Sequence, residues 1–262
     1  MHKNRIIFTL LFGDGFYNLS RNFRLQRVGD LSWVRENYEF DSIARSIDEL
    51  VILDVSRATR DHTAFSGQVE QLGKNCFMPI AAGGGIRTTE HAFQLFQAGA
   101  DKLVLNTPFF TQPNLVKELV SIFGSQSIIA SIDYRHMENG SRRVFVSNGT
   151  EDTGVELADA LRKAQFLGAG EIYLTSINND GTGIGFDLEA LRLASEICSV
   201  PIIASGGADN PVHLIEGIRT AGTSAVSTAH LFNFMSDGLC EARKQIVENG
   251  IPLSQWPDSL FA

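Results

Sequence analysis

The chain has 262 residues, 44% of them hydrophobic and 20% charged, which is typical of a soluble globular protein with a sizeable core. Its 22 lysines and arginines against 30 aspartates and glutamates give a formal net charge of −8, a balance that argues against a nucleic-acid binder with a broad basic face. No apolar run is long enough to span a membrane, and the first apolar segment is too short for a secretory signal, so we expect a cytoplasmic protein.

The cysteines and histidines do not indicate a metal site. The chain has 3 cysteines and no CxxC pair, which fits a reducing compartment rather than a disulfide framework. Its 6 histidines are scattered and lack the spacing of a zinc site. We therefore expect neither a metal nor a cofactor.

Eight short apolar segments recur along the chain and predict strands that are buried on both faces, as parallel strands are. In chain order they are Arg5–Phe12, Asp48–Val55, Pro79–Gly83, Lys102–Asn106, Ser127–Asp133, Glu171–Ile177, Pro201–Ser205 and Ala225–Ala229. Segments of helical period lie between them, for example Glu90–Gln97, Leu115–Phe123 and Glu156–Leu167. Eight alternating units predict an α/β fold, a (β/α)8 TIM barrel; a doubly wound open sheet is the alternative and usually has fewer strands.

The two halves of the chain resemble each other at an offset of 122 residues. The aligned pairs include Glu49 with Glu171, Pro79 with Pro201, Gly84 with Gly206 and His91 with His213. Several matches at one offset indicate a duplication rather than chance. The sequence therefore predicts one barrel domain over residues 1–262, built from half-barrels of about residues 1–122 and 123–250.

Glycine-rich loops follow corresponding strands in both halves. The first is Gly84-Gly85, with Asn106-Thr107 after the next strand; the second is Gly206-Gly207, with Ala229-His230 after the next strand and Asp180-Gly181 beside it. Glycine lets backbone N–H groups approach an anion. A tight turn also needs glycine, but the duplication favours two phosphate sites and a phosphorylated small molecule with two anionic ends. His230 is bulky for such a site, so it either donates to the anion or fills the space.

These residues resemble the HisF family, the cyclase subunits of imidazole glycerol phosphate synthase. The matching segments are IDELVILDVS (47–56), PIAAGGGIRT (79–88), GADKLVLNT (99–107), FGSQSIIASID (123–133), GAGEIYLTSINNDGT (168–182) and PIIASGGA (201–208). The resemblance implies a cytoplasmic barrel that binds a HisH-like glutaminase on its N-terminal face. It also implies that ammonia passes through the barrel to a bisphosphate ligand at the other end.

One departure from the family bears directly on catalysis. The resemblance implies two aspartates as acid and base, one at the end of the first strand and one at the end of the fifth; Asp133 fills the second position, and Leu11 occupies the first. Leu19 replaces a lysine expected in the following loop, and the nearby Asp14 is out of register. Since acid–base catalysis is worth about 10²–10⁴-fold, we expect the chain to be a poor cyclase.

Four charged residues stand where predicted strands begin: Arg5, Glu49, Lys102 and Glu171. Two positive and two negative groups at one end of the barrel are expected to close a ring of ion pairs, and the resemblance implies that this ring is the gate through which ammonia enters the barrel. Charged strand ends that are simply solvated are the alternative. Asp101 and Gln126 match family positions that face the glutaminase.

A chain that keeps the gate and lacks one catalytic acid resembles a narrower group, the WbuZ-type HisF-like proteins of surface-polysaccharide clusters. The similar features are Leu10-Leu11, Val28-Gly29-Asp30 and Cys76-Phe77-Met78-Pro79. The resemblance implies ammonia delivery to a sugar amidotransferase that converts an acetamido group into an acetamidino group. Two alternatives stay open: a working cyclase subunit of histidine biosynthesis, and a scaffold that only activates a glutaminase.

Overall fold

The computed structural model describes residues 3–38, 46–57, 59–74, 77–220, 223–229 and 238–254. Twelve strands lie in these ranges: β1 (Arg5–Gly13), β2 (Phe16–Arg21), β3 (Arg24–Gly29), β4 (Glu49–Asp54), β5 (Ile80–Gly83), β6 (Lys102–Leu105), β7 (Ile128–His136), β8 (Arg142–Val146), β9 (Glu151–Glu156), β10 (Glu171–Ser176), β11 (Ile202–Ser205) and β12 (Thr223–Thr228).

The helices within the same ranges lie mostly between the strands. They are α1 (Leu31–Tyr38), α2 (His62–Gly73), α3 (Thr89–Gln97), α4 (Pro108–Thr111), α5 (Pro113–Phe123), α6 (Leu157–Phe166), α7 (Leu188–Ile197), α8 (Pro211–Arg219) and α9 (Gly238–Glu248), with a 3-10 turn at Ser125–Ser127. None of these helices is long and apolar enough to cross a membrane.

Eight of the strands close into a parallel barrel in the order β1-β4-β5-β6-β7-β10-β11-β12, and β12 pairs with β1 to complete the circle. The register places Leu11 of β1 beside Leu53 of β4, and Asp133 of β7 beside Thr175 of β10. The prediction of a (β/α)8 barrel is confirmed, and all eight predicted strands match barrel strands to within a few residues.

The apolar residues divide into two clusters because side chains alternate between the faces of each strand. The larger cluster joins the outward faces of the strands to the helices and includes Ile6, Phe8 and Leu10 of β1. The smaller cluster takes one residue from each barrel strand: Ile7, Val51, Ala81, Val104, Ile129, Tyr173, Ile203 and Ala225. Side chains thus fill the barrel interior, as in other barrels of this size.

Two antiparallel hairpins extend the barrel at the C-terminal ends of β1 and β7. The first is β2–β3 and the second is β8–β9. Neither hairpin follows from the eight-strand prediction, in which Phe16–Ser20 belongs to a loop. Their corresponding positions, after the first strand of each half, support the proposal of two half-barrel repeats.

Candidate functional site

A cavity of about 140 Å³ opens at the C-terminal ends of the barrel strands. Leu11 and Asp133 both line it, and so do Gly84, Gly85, Asn106 and Thr107 of the first predicted anion site. Active sites of (β/α)8 enzymes lie at this end of the barrel. The fold therefore brings the acid position and the first glycine-rich loop into one pocket.

Asp133 is held by its neighbours at the wall of this cavity. Its side chain is 8% exposed, and it accepts hydrogen bonds from Asn106 Nδ2 at 3.1 Å and from Ser131 Oγ at 3.2 Å. Burial raises the pKa of Asp133 to about 7, although the Ser131 hydrogen bond acts in the opposite direction. At neutral pH this carboxyl can therefore both give and accept a proton.

Leu11 provides no proton-transfer group at the end of β1. It is half-buried, and its backbone lies between Asn18 of β2 and Leu53 of β4. Asp14 is exposed in the turn that follows, where its backbone N–H donates to Ser56 Oγ at 3.1 Å. The residues that line the cavity do not include Asp14.

Two other carboxylates line the cavity, and both accept hydrogen bonds from neighbouring residues. Asp54 accepts from its neighbour Ser56 N at 2.9 Å and lies 3.7 Å from Arg60 Nε. Asp180 accepts from Ser20 Oγ at 2.5 Å and from Phe23 N at 3.0 Å, and burial raises its pKa. All three carboxylates therefore accept hydrogen bonds from neighbouring groups, and Asp133 is the one whose pKa is raised to about 7.

The backbone of the first loop has conformations that suit glycine. Gly84 and Gly85 have φ angles of +113° and +69°, and a Cβ at Gly84 would overlap the carbonyl oxygen of Asp54. Thr88 then caps α3 by accepting a hydrogen bond from His91 N at 3.3 Å. The loop consequently passes close to the end of β4 before the helix begins.

The second glycine-rich loop lines a neighbouring cavity of about 460 Å³. Gly206 and Gly207 share it with Asp180, Gly181 and Ala229. His230 lies outside the described residues, so its role stays an expectation. The two cavities have Ser20, Leu25, Asp180, Ser205 and Ala229 in common, which makes them adjoining compartments of one mouth.

The hairpin β2–β3 forms the wall between the two compartments. Its turn has φ angles of +51° at Asn22 and +63° at Phe23, and Asn22 N donates to Asp180 O at 2.8 Å. Phe23 lines the first cavity and Leu19 the second. Asp180, predicted as part of an anion site, directs its carboxylate to this hairpin.

Sequence reasoning missed the arginines of the first compartment: Arg57, Arg60 and Arg87. Arg57 Nη2 donates to Phe23 O at 2.6 Å, and Arg60 Nη2 donates to Asn148 Oδ1 at 3.3 Å. Arg87 follows the glycines in the segment GGGIR, so its position was visible in the sequence as a cation beside a predicted anion site.

The four charged strand-end residues meet at the opposite end of the barrel. Arg5 Nη1 donates to Glu49 at 2.5 Å, and Arg5 also contacts Glu171. Lys102 Nζ lies 3.0 Å from Glu49 and 3.1 Å from Glu171. Both carboxylates thus contact both cations, and the four side chains form a closed ring. Glu49 is 2% and Glu171 is 6% exposed, so these are not solvated strand ends.

A hydroxyl cluster lies between the apolar interior layer and the first cavity. Tyr173 Oη is 2.8 Å from Thr9 Oγ1, 2.8 Å from Ser227 Oγ and 3.1 Å from Ser205 Oγ. Thr9 and Ser227 are also 2.8 Å apart. Burial raises the pKa of Tyr173, so its phenol stays protonated at neutral pH. This cluster was missed because its members lie on four different strands.

The two residues predicted to face a glutaminase lie at the same end as the ion ring. Asp101 precedes β6, is exposed and accepts from Ile80 N at 2.8 Å. Gln126 lies in the 3-10 turn before β7 and is also exposed. Phe77, 80% exposed, shares a surface groove with Asp101.

Comparison with known proteins identifies the family of the chain. The family model described as "Histidine biosynthesis protein" matches residues 34–236, about three quarters of the chain. The chain belongs to the HisF family.

Three relatives of this family align over nearly their whole length. A provisionally named imidazole glycerol phosphate synthase subunit, hisF2, of Parasynechococcus marenigrum is 45% identical over 258 residues, covering 98% of this chain and 96% of the relative. Imidazole glycerol phosphate synthase subunit HisF of Streptococcus mutans is 36% identical over 253 residues, covering 96% and 99%. The HisF subunit of Streptococcus sanguinis is 37% identical over 254 residues, covering 96% and 98%.

Membership of the HisF family confirms the resemblance drawn from the sequence segments. The narrower likeness to WbuZ-type proteins depends on a few short sequence segments. One of these segments includes Cys76, which lies outside the described residues.

Proposed function

We propose that this HisF-family chain receives ammonia from a HisH-like glutaminase and delivers it through the barrel to a phosphate-bearing ligand at the mouth. The observation that carries the proposal is the contrast between the two ends of the barrel. The ring of Arg5, Glu49, Lys102 and Glu171 is complete at one end, whereas Leu11 faces the cavity where a second acid is expected at the other.

The entrance suits a neutral molecule. The ring places two positive and two negative groups in direct contact, so an approaching ammonium ion would have to lose its hydration and compete with Lys102 and Arg5 for the same carboxylates. Ammonia carries no charge and avoids that cost. The exposed residues Phe77, Asp101 and Gln126 at this end offer a mixed apolar and polar surface for a glutaminase.

The mouth suits an anionic ligand. Arg57, Arg60 and Arg87 line the first compartment, and Arg21 and Arg24 line the second, in a protein whose net charge is −8. Phosphate is recognised by guanidinium groups and by backbone N–H groups of glycine-rich loops. The two compartments can therefore hold the two anionic ends of one ligand.

The same mouth is poorly equipped for the paired acid–base chemistry of cyclization, because Leu11 cannot transfer a proton. The finer proposal is that the delivered ammonia serves amidation of a surface-polysaccharide sugar, together with a sugar amidotransferase. The local features Leu10-Leu11 and Val28-Gly29-Asp30 support this reading.

A second candidate function is a working cyclase subunit. The pKa of Asp133, near 7, favours it, because one carboxyl that exchanges protons at neutral pH could act as acid and base in turn. The names of the Streptococcus relatives also favour it.

The test of ammonia delivery uses glutamine labelled with ¹⁵N in its amide, supplied to the chain, its glutaminase and the sugar amidotransferase in an excess of unlabelled ammonium. Delivery through the barrel predicts product that retains the label. Product whose ¹⁵N content falls to that of the bulk ammonium would exclude delivery through the barrel, and the chain would then be only a scaffold for the glutaminase. Histidine genes rather than a sugar amidotransferase gene beside this one would favour the cyclase.

A further inference from the structure

The side chain of Arg60 lies directly over the first glycine-rich loop. A Cβ built on Gly85 would come within 2.5 Å of Arg60 Cδ, so the arginine covers the glycine at van der Waals distance. Gly85 therefore lacks a side chain for two reasons, its φ of +69° and the presence of Arg60. The guanidinium is thereby fixed at the wall of the first cavity.

Asn148, which also lines this cavity, orients the guanidinium by a direct hydrogen bond. Its Oδ1 accepts from Arg60 Nη2 at 3.3 Å, while its Nδ2 donates to Val55 O at 3.0 Å and Ser56 O at 3.3 Å. Asn148 is held at a φ of +57° in the turn after β8. Its amide thus joins the second hairpin to the end of β4 and holds Arg60 between them.

The guanidinium keeps unused hydrogen-bonding capacity. Of its five N–H groups, one has an acceptor among the described residues, and Nε is buried without a hydrogen bond in that same part of the chain. Asp54 Oδ2, 3.7 Å from Nε, is the carboxylate oxygen found within 4 Å of Arg60 in the described ranges, and it is too distant for a hydrogen bond. A buried donor without an acceptor is costly unless a ligand supplies one.

We propose that Arg60, positioned by Asn148, binds the phosphate of a phosphomonoester at the loop Gly84-Gly85. This inference rests on the proposed function, which places a phosphate-bearing ligand at the mouth, and it names the cation of that site. The planar fork of a guanidinium matches two oxygens of a phosphate, and the nearby Thr107 hydroxyl adds a polar contact.

The experiment is calorimetric titration of the whole chain with ribose 5-phosphate at fixed ionic strength, with ribose as the blank. Arg60→Gln should weaken binding about 10- to 100-fold, the range expected for loss of hydrogen bonds to a charged group. Arg162→Gln removes the same charge from an exposed ion pair on α6 and should leave affinity within about twofold. Circular dichroism of both variants checks that they fold.

The role of Asn148 is tested by a double-mutant cycle. Asn148→Ala should weaken ribose 5-phosphate binding in the parent and have little further effect in Arg60→Gln, because it acts through Arg60. Equal effects in both backgrounds would contradict positioning by Asn148.

The outcomes separate this inference from the proposed function. Unchanged affinity of Arg60→Gln would overturn the assignment of Arg60 and leave ammonia delivery intact. Absence of ribose 5-phosphate binding to the parent would overturn it as well. So would a crystal structure of the complex with the phosphate bound at the second loop alone. Binding that depends on Arg60 would support it even if the isotope experiment excluded ammonia delivery.

Discussion

Leu11 and Asp133 line one cavity from the ends of the first and fifth barrel strands. The carboxyl is fixed by Asn106 and Ser131, while the leucine contributes an apolar surface opposite it. Burial disfavours the ionised form of Asp133 and raises its pKa. The substitution at Leu11 thus removes one of the two expected acids and leaves Asp133 as the carboxyl at the end of the fifth barrel strand.

Asp133 should make stability depend on pH. Its pKa rises from the ordinary value of 3.8 to about 7 in the folded chain, so the folded state binds more protons between these values. The favourable contribution of the protonated group is present below about pH 4 and is lost as pH rises through about 7. Asp133→Asn should therefore stabilise the chain at pH 8 relative to the parent and have little effect at pH 4, measured by urea denaturation. An exposed control, Asp159→Asn, should show no such difference.

Lys102→Ala should disturb the entrance ring in two ways. It leaves two buried carboxylates facing Arg5 alone, and the loss of a hydrogen-bond donor to each should lower the free energy of unfolding by about 1–3 kcal/mol. In the reconstituted complex it should also raise the ratio of glutamate released to amidated product. The exposed pair of Lys74 with Glu70 supplies the control, because Lys74→Ala should change neither quantity. An unchanged ratio of glutamate to amidated product in Lys102→Ala would contradict the role of the ring as an ammonia gate.

Gly84→Ala should be strongly destabilising. The new Cβ would overlap the Asp54 carbonyl, and alanine is strained at a φ of +113°. We expect a loss of about 2–4 kcal/mol in denaturant unfolding. Gly67→Ala is the matched control, since a Cβ there meets nothing within 4 Å and the residue lies inside α2, where alanine is favoured. A Gly84→Ala chain as stable as the parent would contradict the close approach of the loop to β4.

Ser20→Ala should loosen the hairpin β2–β3. The hydroxyl of Ser20 donates to the buried carboxylate of Asp180, and this contact helps fix the wall between the compartments. Faster hydrogen exchange of the hairpin amides, with the barrel strands unchanged, is the expected result. Ser195→Ala, which removes a hydroxyl bonded only within its helix, should leave the hairpin as it is. Equal exchange in both variants would show that the hydrogen bond from Ser20 to Asp180 does not fix the hairpin.

The barrel and its ion ring were predictable because their signals are local. Most barrel strands are apolar on both faces, and Glu49 and Lys102 each stand at a strand start. The hairpin β2–β3 was missed because its strands carry polar and half-exposed residues rather than an apolar run. The pair of Arg60 with Asn148 joins residues 88 positions apart, and only the closed barrel brings them together.

A HisF-family barrel with Leu11 in place of the first acid should be a poor catalyst of cyclization. The most direct measurement is the rate at which the purified chain converts the bisphosphate substrate of the histidine pathway with ammonium salts, beside the HisF subunit of Streptococcus mutans under the same conditions. We predict a rate at least about 100-fold lower, the lower limit expected for losing one acid–base group. A rate within tenfold of that subunit would contradict the loss of cyclase activity through Leu11 and establish Asp133 as sufficient for cyclization.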